Sequence, residues 1–179
     1  MNAARRAHRI LSSGRAPLLL SFAGFFLLGS FVFSSGAWRP RALQPIAFNH
    51  SKHIAQGLEC VNCHTGAADQ EHATLPLLDA CLMCHESAVT ESAEEAKLRA
   101  LAAAGGELAW TRVTRVPPHV YFSHRRHVQL GKMECQECHG PMETLTEPPV
   151  RPFREMTMAS CLECHQRKQA GTDCNDCHR

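Results

Sequence analysis

All ten cysteines of this 179-residue chain stand in five copies of one pattern, Cys-x-x-Cys-His. The copies are Cys60, Cys63 and His64; Cys81, Cys84 and His85; Cys135, Cys138 and His139; Cys161, Cys164 and His165; and Cys174, Cys177 and His178. Two thiols at this spacing can each add to a vinyl group of one haem. The histidine that follows is then held beneath the iron as its proximal ligand. With every cysteine used this way, none is left for a disulfide or a catalytic thiol. The rival chemistry is zinc, because Cys60, Cys63, Cys81 and Cys84, with 17 residues between the pairs, fit a zinc ribbon. Zinc does not need a histidine directly after each second cysteine. Histidine is 12 of 179 residues, so five such placements by chance have odds on the order of one in a million. A redox dithiol explains one motif and not five.

Seven histidines stand outside the motifs: His8, His50, His53, His72, His119, His124 and His127. His8 precedes the apolar segment described below. The other six lie just upstream of Cys-x-x-Cys-His motifs, where a second imidazole could close the far side of an iron. Such histidines are ordinarily surface or satisfied core residues. In a chain this dense in haem motifs, His50, His53, His124 and His127 are stronger ligand candidates than His72 and His119. Methionine is the other candidate donor, and a thioether raises the haem potential relative to a second imidazole. Met83, Met133 and Met142 lie within or beside motifs, and Met156 and Met158 precede Cys161. A methionine in such a place is more often packing; Met158 is the favoured ligand among them.

A repeat positions these residues. Phe48, His50, His53, Gly57, Glu59 and Cys60 recur as Phe122, His124, His127, Gly131, Glu134 and Cys135, with one residue inserted in the second copy. Two histidines three apart lie on one face of a helical turn and can point at two haems stacked closely. The repeat divides the chain beyond residue 38 into a dihaem module, 39–88, and a trihaem module, 119–179, joined by a spacer, 89–118. Ser92 and Glu95 resemble a capping box, Ala93 to Ala104 are rich in helix formers, and Gly105-Gly106 ends the run, so the spacer holds a helix. Residues 107–116 alternate enough for a short strand, stopped by Pro117-Pro118. Elsewhere only short helices presenting the motifs are expected, with few or no strands. One haem per about 27 residues over 46–179, against 6% aromatic residues, leaves covalent haem to fill the core.

The first 15 residues form a basic tail with Arg5, Arg6, Arg9 and Arg15 and no acid. Residues 16–38 carry no charge and, as a helix, cover roughly 34 Å at about 1.5 Å per residue, enough to cross a hydrocarbon core of about 30 Å. The arginines favour a cytoplasmic N-terminus, and Trp38 suits the opposite interface. The competing reading is a signal peptide cleaved near Ser35-Gly36-Ala37, but the apolar run exceeds the usual length of such a segment. Beyond it, 15 Lys+Arg (the chain's 19 less the four in the tail) face all 17 Asp+Glu, a balance of −2. No basic run suggests nucleic acid.

Phe-x-His-x-x-His followed by Cys-x-x-Cys-His resembles the class III multihaem cytochrome c superfamily, and residues 119–179 look like a complete trihaem member. The resemblance implies a multihaem cytochrome c fold, mostly irregular with short α-helices, to which the apolar run adds one N-terminal transmembrane helix. It implies that His50 and His53 serve the haems of His64 and His85, and that His124 and His127 serve those of His139 and His165. The haem of His178 would draw on the Met156–Met158 stretch. His72 holds a third-ligand position without a third haem in its module. His72 and His119 could therefore reach across modules, so the pairing of haems 3 to 5 is not unique.

Over about 17–179 the layout is similar to the pentahaem cytochrome c subunits of alternative complex III. The matching stretches are His72-Ala-Thr-Leu-Pro76 before Cys81, Pro118-His119-Val-Tyr-Phe122-Ser-His124, Cys138-His139-Gly140-Pro141-Met142 and Thr157-Met158-Ala-Ser-Cys161. That resemblance implies five covalently bound haems c in a periplasmic domain anchored to the inner membrane by a single span. It also implies quinol-oxidising membrane subunits, including an iron–sulfur subunit, as electron donors. A soluble cytochrome c or terminal oxidase would be the acceptor, and the chain would relay electrons without being catalytic alone. The alternatives are a stand-alone quinol dehydrogenase, the electron-transfer subunit of another periplasmic molybdopterin-type oxidoreductase, and a multihaem reductase with an open iron.

Overall fold

The computed structural model describes residues 15–34 and 41–178. Two compact units divide the chain, Met1–Pro40 and Arg41–Arg179. The basic tail before Arg15, with His8, lies outside the described residues, as do Ser35-Gly36-Ala37 and Trp38.

The first unit is the helix α1, Arg15–Ser34. Its leucines and phenylalanines from Leu18 to Phe33 are all exposed. An apolar surface on every side of a 20-residue helix, about 30 Å long, suits a hydrocarbon surround rather than a protein core. By length and composition α1 can cross a membrane.

The second unit is built from short helices. These are α2 (His50–Ala55), α3 (Cys60–Cys63), α4 (Leu78–His85), α5 (Ala93–Ala103), α6 (Gln136–His139), α7 (Met158–Lys168) and α8 (Cys174–Cys177). A π-helical turn (Arg125–Leu130) and a 3-10 turn (Met142–Thr144) complete them. Each Cys-x-x-Cys-His lies on or at the edge of a helical turn, which brings residues i, i+3 and i+4 to one side. The described residues contain no strand, only an isolated antiparallel bridge between Val120 and His178. The fold is therefore mostly irregular with short helices.

The strand expected over 107–116 does not form. The side chain of Gln44 takes the place of a partner strand there. Its amide donates to Thr111 O at 2.9 Å and accepts from Thr111 N at 3.1 Å. The spacer helix does form and ends at Gly105, whose φ of 67° is left-handed. Ser92 occupies the N-cap without a side-chain bond, and the Glu95 carboxylate does not complete a capping box but accepts from the backbone of Val89 and Thr90 at 2.7 and 2.8 Å.

Apolar burial is thin. Among the described residues only Ile46, Leu98 and Leu108 are buried hydrophobics, with Phe48, Leu78, Cys81, Leu101 and Trp110 packed against them. A side-chain core this small leaves covalent haem to fill the unit.

Gly140, directly after the third motif, has φ 75° and ψ −173°, a region essentially restricted to glycine. A β-carbon there would sit 2.5 Å from the Phe153 ring. Gly140→Ala is expected to cost at least about 1–3 kcal/mol, read as a lowered Tm of the haem-loaded protein; an unchanged Tm would remove the close approach.

Candidate haem sites

The repeat folds the same way twice. Phe48 stacks on His53 (ring centroids 4.3 Å apart, 26° between planes) and meets His50 edge-on (4.8 Å, 86°). Phe122 stacks on His127 (4.8 Å, 25°) and meets His124 edge-on (4.9 Å, 86°). One phenylalanine thus sets two imidazoles in different planes. The ring Nδ1 of His53 pairs with Asn49 O at 2.8 Å, and that of His127 with Ser123 O at 2.8 Å, both one helical turn back. The backbone differs: the first copy is the α-helix α2 and the second the π-helical turn. Past that turn Lys132 takes a left-handed φ of 51° at the longer link to Glu134.

Three of these histidines, and His119 outside the repeat, face histidines of the motifs. His53 lies 6.1 Å from His85, His124 6.4 Å from His139, His127 6.1 Å from His165 and His119 5.6 Å from His178, all between ring centroids. Two metal–imidazole bonds of about 2 Å each, plus the reach of both rings from nitrogen to centre, put histidines on opposite sides of one metal about 6.3 Å apart. Direct imidazole stacking would bring the rings closer. His50 has His64 as a neighbour: burial lowers its pKa first, then the charges of His64 and His53. Burial likewise lowers His139, with His124 and His64 adding to it. In His124 burial outweighs the opposing bond to Glu71 O. Each shift favours the neutral imidazole, the form that ligates.

Hydrogen bonds fix which nitrogen is free. Nδ1 meets a backbone carbonyl in His64 (Thr74 O, 3.0 Å), His165 (Gly171 O, 2.6 Å) and His124 (Glu71 O, 3.3 Å), as in His53 and His127. Nδ1–H donated to a carbonyl leaves Nε2 as the ligating atom. The Nδ1 atoms of His50 and His85 are buried without an aligned hydrogen bond.

The remaining candidates are placed elsewhere. His72 is 80% exposed and faces Glu71. Met83 and Met158 are exposed. Met158 opens α7 inside a reciprocal cap between Thr157 and Ser160, so this Thr-Met-Ala-Ser stretch serves as a helix start. What brings His119 to His178 is backbone pairing. Tyr121 N donates to Cys177 O at 2.7 Å beside the Val120–His178 bridge.

The motifs adjoin in a definite order. Burial raises the Cys81 thiol, with Cys63 adding to it. It raises Cys135, with Cys60 adding to it. It raises Cys138 against the pull of Arg154, with Cys164 adding, and Cys161 against Ser160, with Cys177 adding. The first and third motifs are also joined through the backbone, where His124 N and Arg125 N donate to Glu71 O and Gln70 O at 3.0 and 2.8 Å.

Phe48, Phe122 and Glu95 belong to these sites and were not singled out as site residues by sequence reasoning. The phenylalanines were visible in the repeat but carry no donor atom. Glu95 read as a helix cap, and its approach to His85 is a tertiary contact.

Ten free cysteines, imidazoles with one nitrogen tied back, and ring pairs spaced for a metal between them fit covalent haem. Short helices without strands, carrying such motifs, define the fold class of a multihaem cytochrome c. Residues 120–179 match the family of cytochrome c7 and related cytochrome c. Over 191 aligned positions the chain is 26% identical to the menaquinone reductase multihaem cytochrome c subunit of Nitratidesulfovibrio vulgaris (Hildenborough), covering 93% of this chain and 90% of that protein. The chemistry is electron transfer by covalently held haem.

Proposed function

We propose that the chain is a membrane-anchored pentahaem wire within a quinone-linked oxidoreductase. Each iron is held between two histidines: His50 and His64, His53 and His85, His124 and His139, His127 and His165, His119 and His178. His72 and Met158 are outside this set. The observation that carries the reading is the four ring pairs at 5.6–6.4 Å. Irons closed on both sides carry electrons and bind no substrate, so quinone chemistry falls to partner subunits. The two cysteines of each motif bond one haem and fix its plane. Axial ligand, burial and nearby charge set its potential.

The motif contacts support a path that departs from chain order. It runs from the second motif to the first, then to the third, fourth and fifth. The second and fifth sites are its ends. α1 supports a single-span anchor, and Arg5, Arg6 and Arg9 before it support a cytoplasmic N-terminus with the haem domain in the periplasm.

In the quinol-oxidising direction of alternative complex III, electrons enter from an iron–sulfur partner and leave to a soluble cytochrome c or an oxidase. The relative named as a menaquinone reductase subunit favours the opposite direction as the second reading. Isolation of the tagged full chain in mild detergent separates these. Reduction of its haems by a quinol within a co-purified complex supports the first direction, and quinone-dependent haem oxidation under a soluble reduced cytochrome supports the second. A chain recovered alone, with quinol oxidising activity of its own, would replace both with a stand-alone dehydrogenase.

A further inference from the structure

Glu95 is the one buried charged side chain among the described residues. Four donors hold it. Val89 N and Arg99 bind Oε1, and Thr90 binds Oε2 through both its N–H and its hydroxyl. Four donors and no acceptor around it favour the ionised carboxylate. Oε1 also lies 3.4 Å from His85 Nδ1, a buried ring nitrogen with no hydrogen-bond partner. The corresponding nitrogens of His53, His64, His124, His127 and His165 all meet neutral backbone carbonyls. The second site thus has a carboxylate beside its proximal imidazole, where the proximal His64 and His165 have a backbone carbonyl.

We propose that Glu95 is a positioning residue for the second haem site, orienting His85 through Nδ1 and lowering the potential of the iron that His85 ligates. The inference rests on the His53–His85 pairing proposed above. The carboxylate's charge, 3.4 Å away, draws the Nδ1 proton. The ring becomes a better donor through Nε2, which favours the oxidised iron. The negative charge acts in the same direction. Arg99 opposes it from the other side of the same oxygen. The second site is one end of the proposed path, so Glu95 makes that end the more reducing one.

The test is potentiometry of the full chain in detergent, following each low-spin haem by its own electron paramagnetic resonance signal. His53→Ala first identifies the second haem as the signal lost to high spin. Glu95→Gln is expected to raise the potential of that haem alone, by a tenfold or larger change in its reduction equilibrium, about 59 mV for one electron. Arg99→Leu is expected to lower it. A merely structural clamp would move both variants the same way. If Glu95→Gln loads no haem, Arg99→Leu decides alone. Unchanged potentials with all five haems low-spin overturn the role of Glu95 and leave the pairing standing. A His53→Ala protein with no high-spin haem overturns the pairing itself.

Discussion

The His119→Ala protein is expected to hold one high-spin haem among five, while Met158→Leu keeps all five low-spin. His119 lies with its ring nearly parallel to that of His178, 10° between planes and 5.6 Å between centres. The segment that bears it is tied to the fifth motif by the Tyr121–Cys177 bond and the Val120–His178 bridge. Without this imidazole, no other histidine in the described structure meets the ring of His178. Met158 sits exposed at the start of α7, where leucine fills its role. Electron paramagnetic resonance of the oxidised protein reads the difference directly, and added imidazole should return the His119→Ala haem to low spin. The reverse pattern, high spin in Met158→Leu and none in His119→Ala, would restore a thioether at the fifth site.

Replacing all ten cysteines by alanine is expected to abolish the fold of the second unit. Among the described residues three buried apolar side chains cluster around one corner. The ring pairs need something between them to stay apart at about 6 Å and remain ordered. Haems bonded at five places act as staples in a scaffold whose own core is too small. Far-ultraviolet circular dichroism and limited proteolysis check this. Loss of the helical signal with rapid cleavage after residue 41 is the expected outcome, and a protease-resistant, helical apoprotein would show that the chain folds on side chains alone.

The motifs and the repeat could be read directly because their chemistry is local. Cys-x-x-Cys-His occupies one helical turn, and Phe-x-His-x-x-His occupies the turn before it. Helix α5 was also legible, since Ala, Leu and Glu fill Ala93–Ala103 and glycines follow. Non-local contacts were not. Residues 107–116 alternate like a strand, yet Gln44 occupies the backbone of Thr111 from 67 residues away. His119 stands outside the repeat, and only the return of the C-terminal motif to Val120 places it beside His178. Glu95 has the spacing of a capping box with Ser92, but its carboxylate goes to Val89, Thr90 and the proximity of His85. Met158 is a candidate donor because it precedes Cys161; in the structure it is the first residue of α7, between the capping Thr157 and Ser160.

The central claim is five irons, each closed by two histidines. Low-temperature electron paramagnetic resonance of the fully oxidised full chain, quantified against a pyridine haemochrome count on the same sample, tests it most directly. The expected result is five haems per chain, all low-spin ferric with no stoichiometric high-spin signal. Three haems or fewer, or a full equivalent of high-spin iron in the unmodified protein, would contradict it.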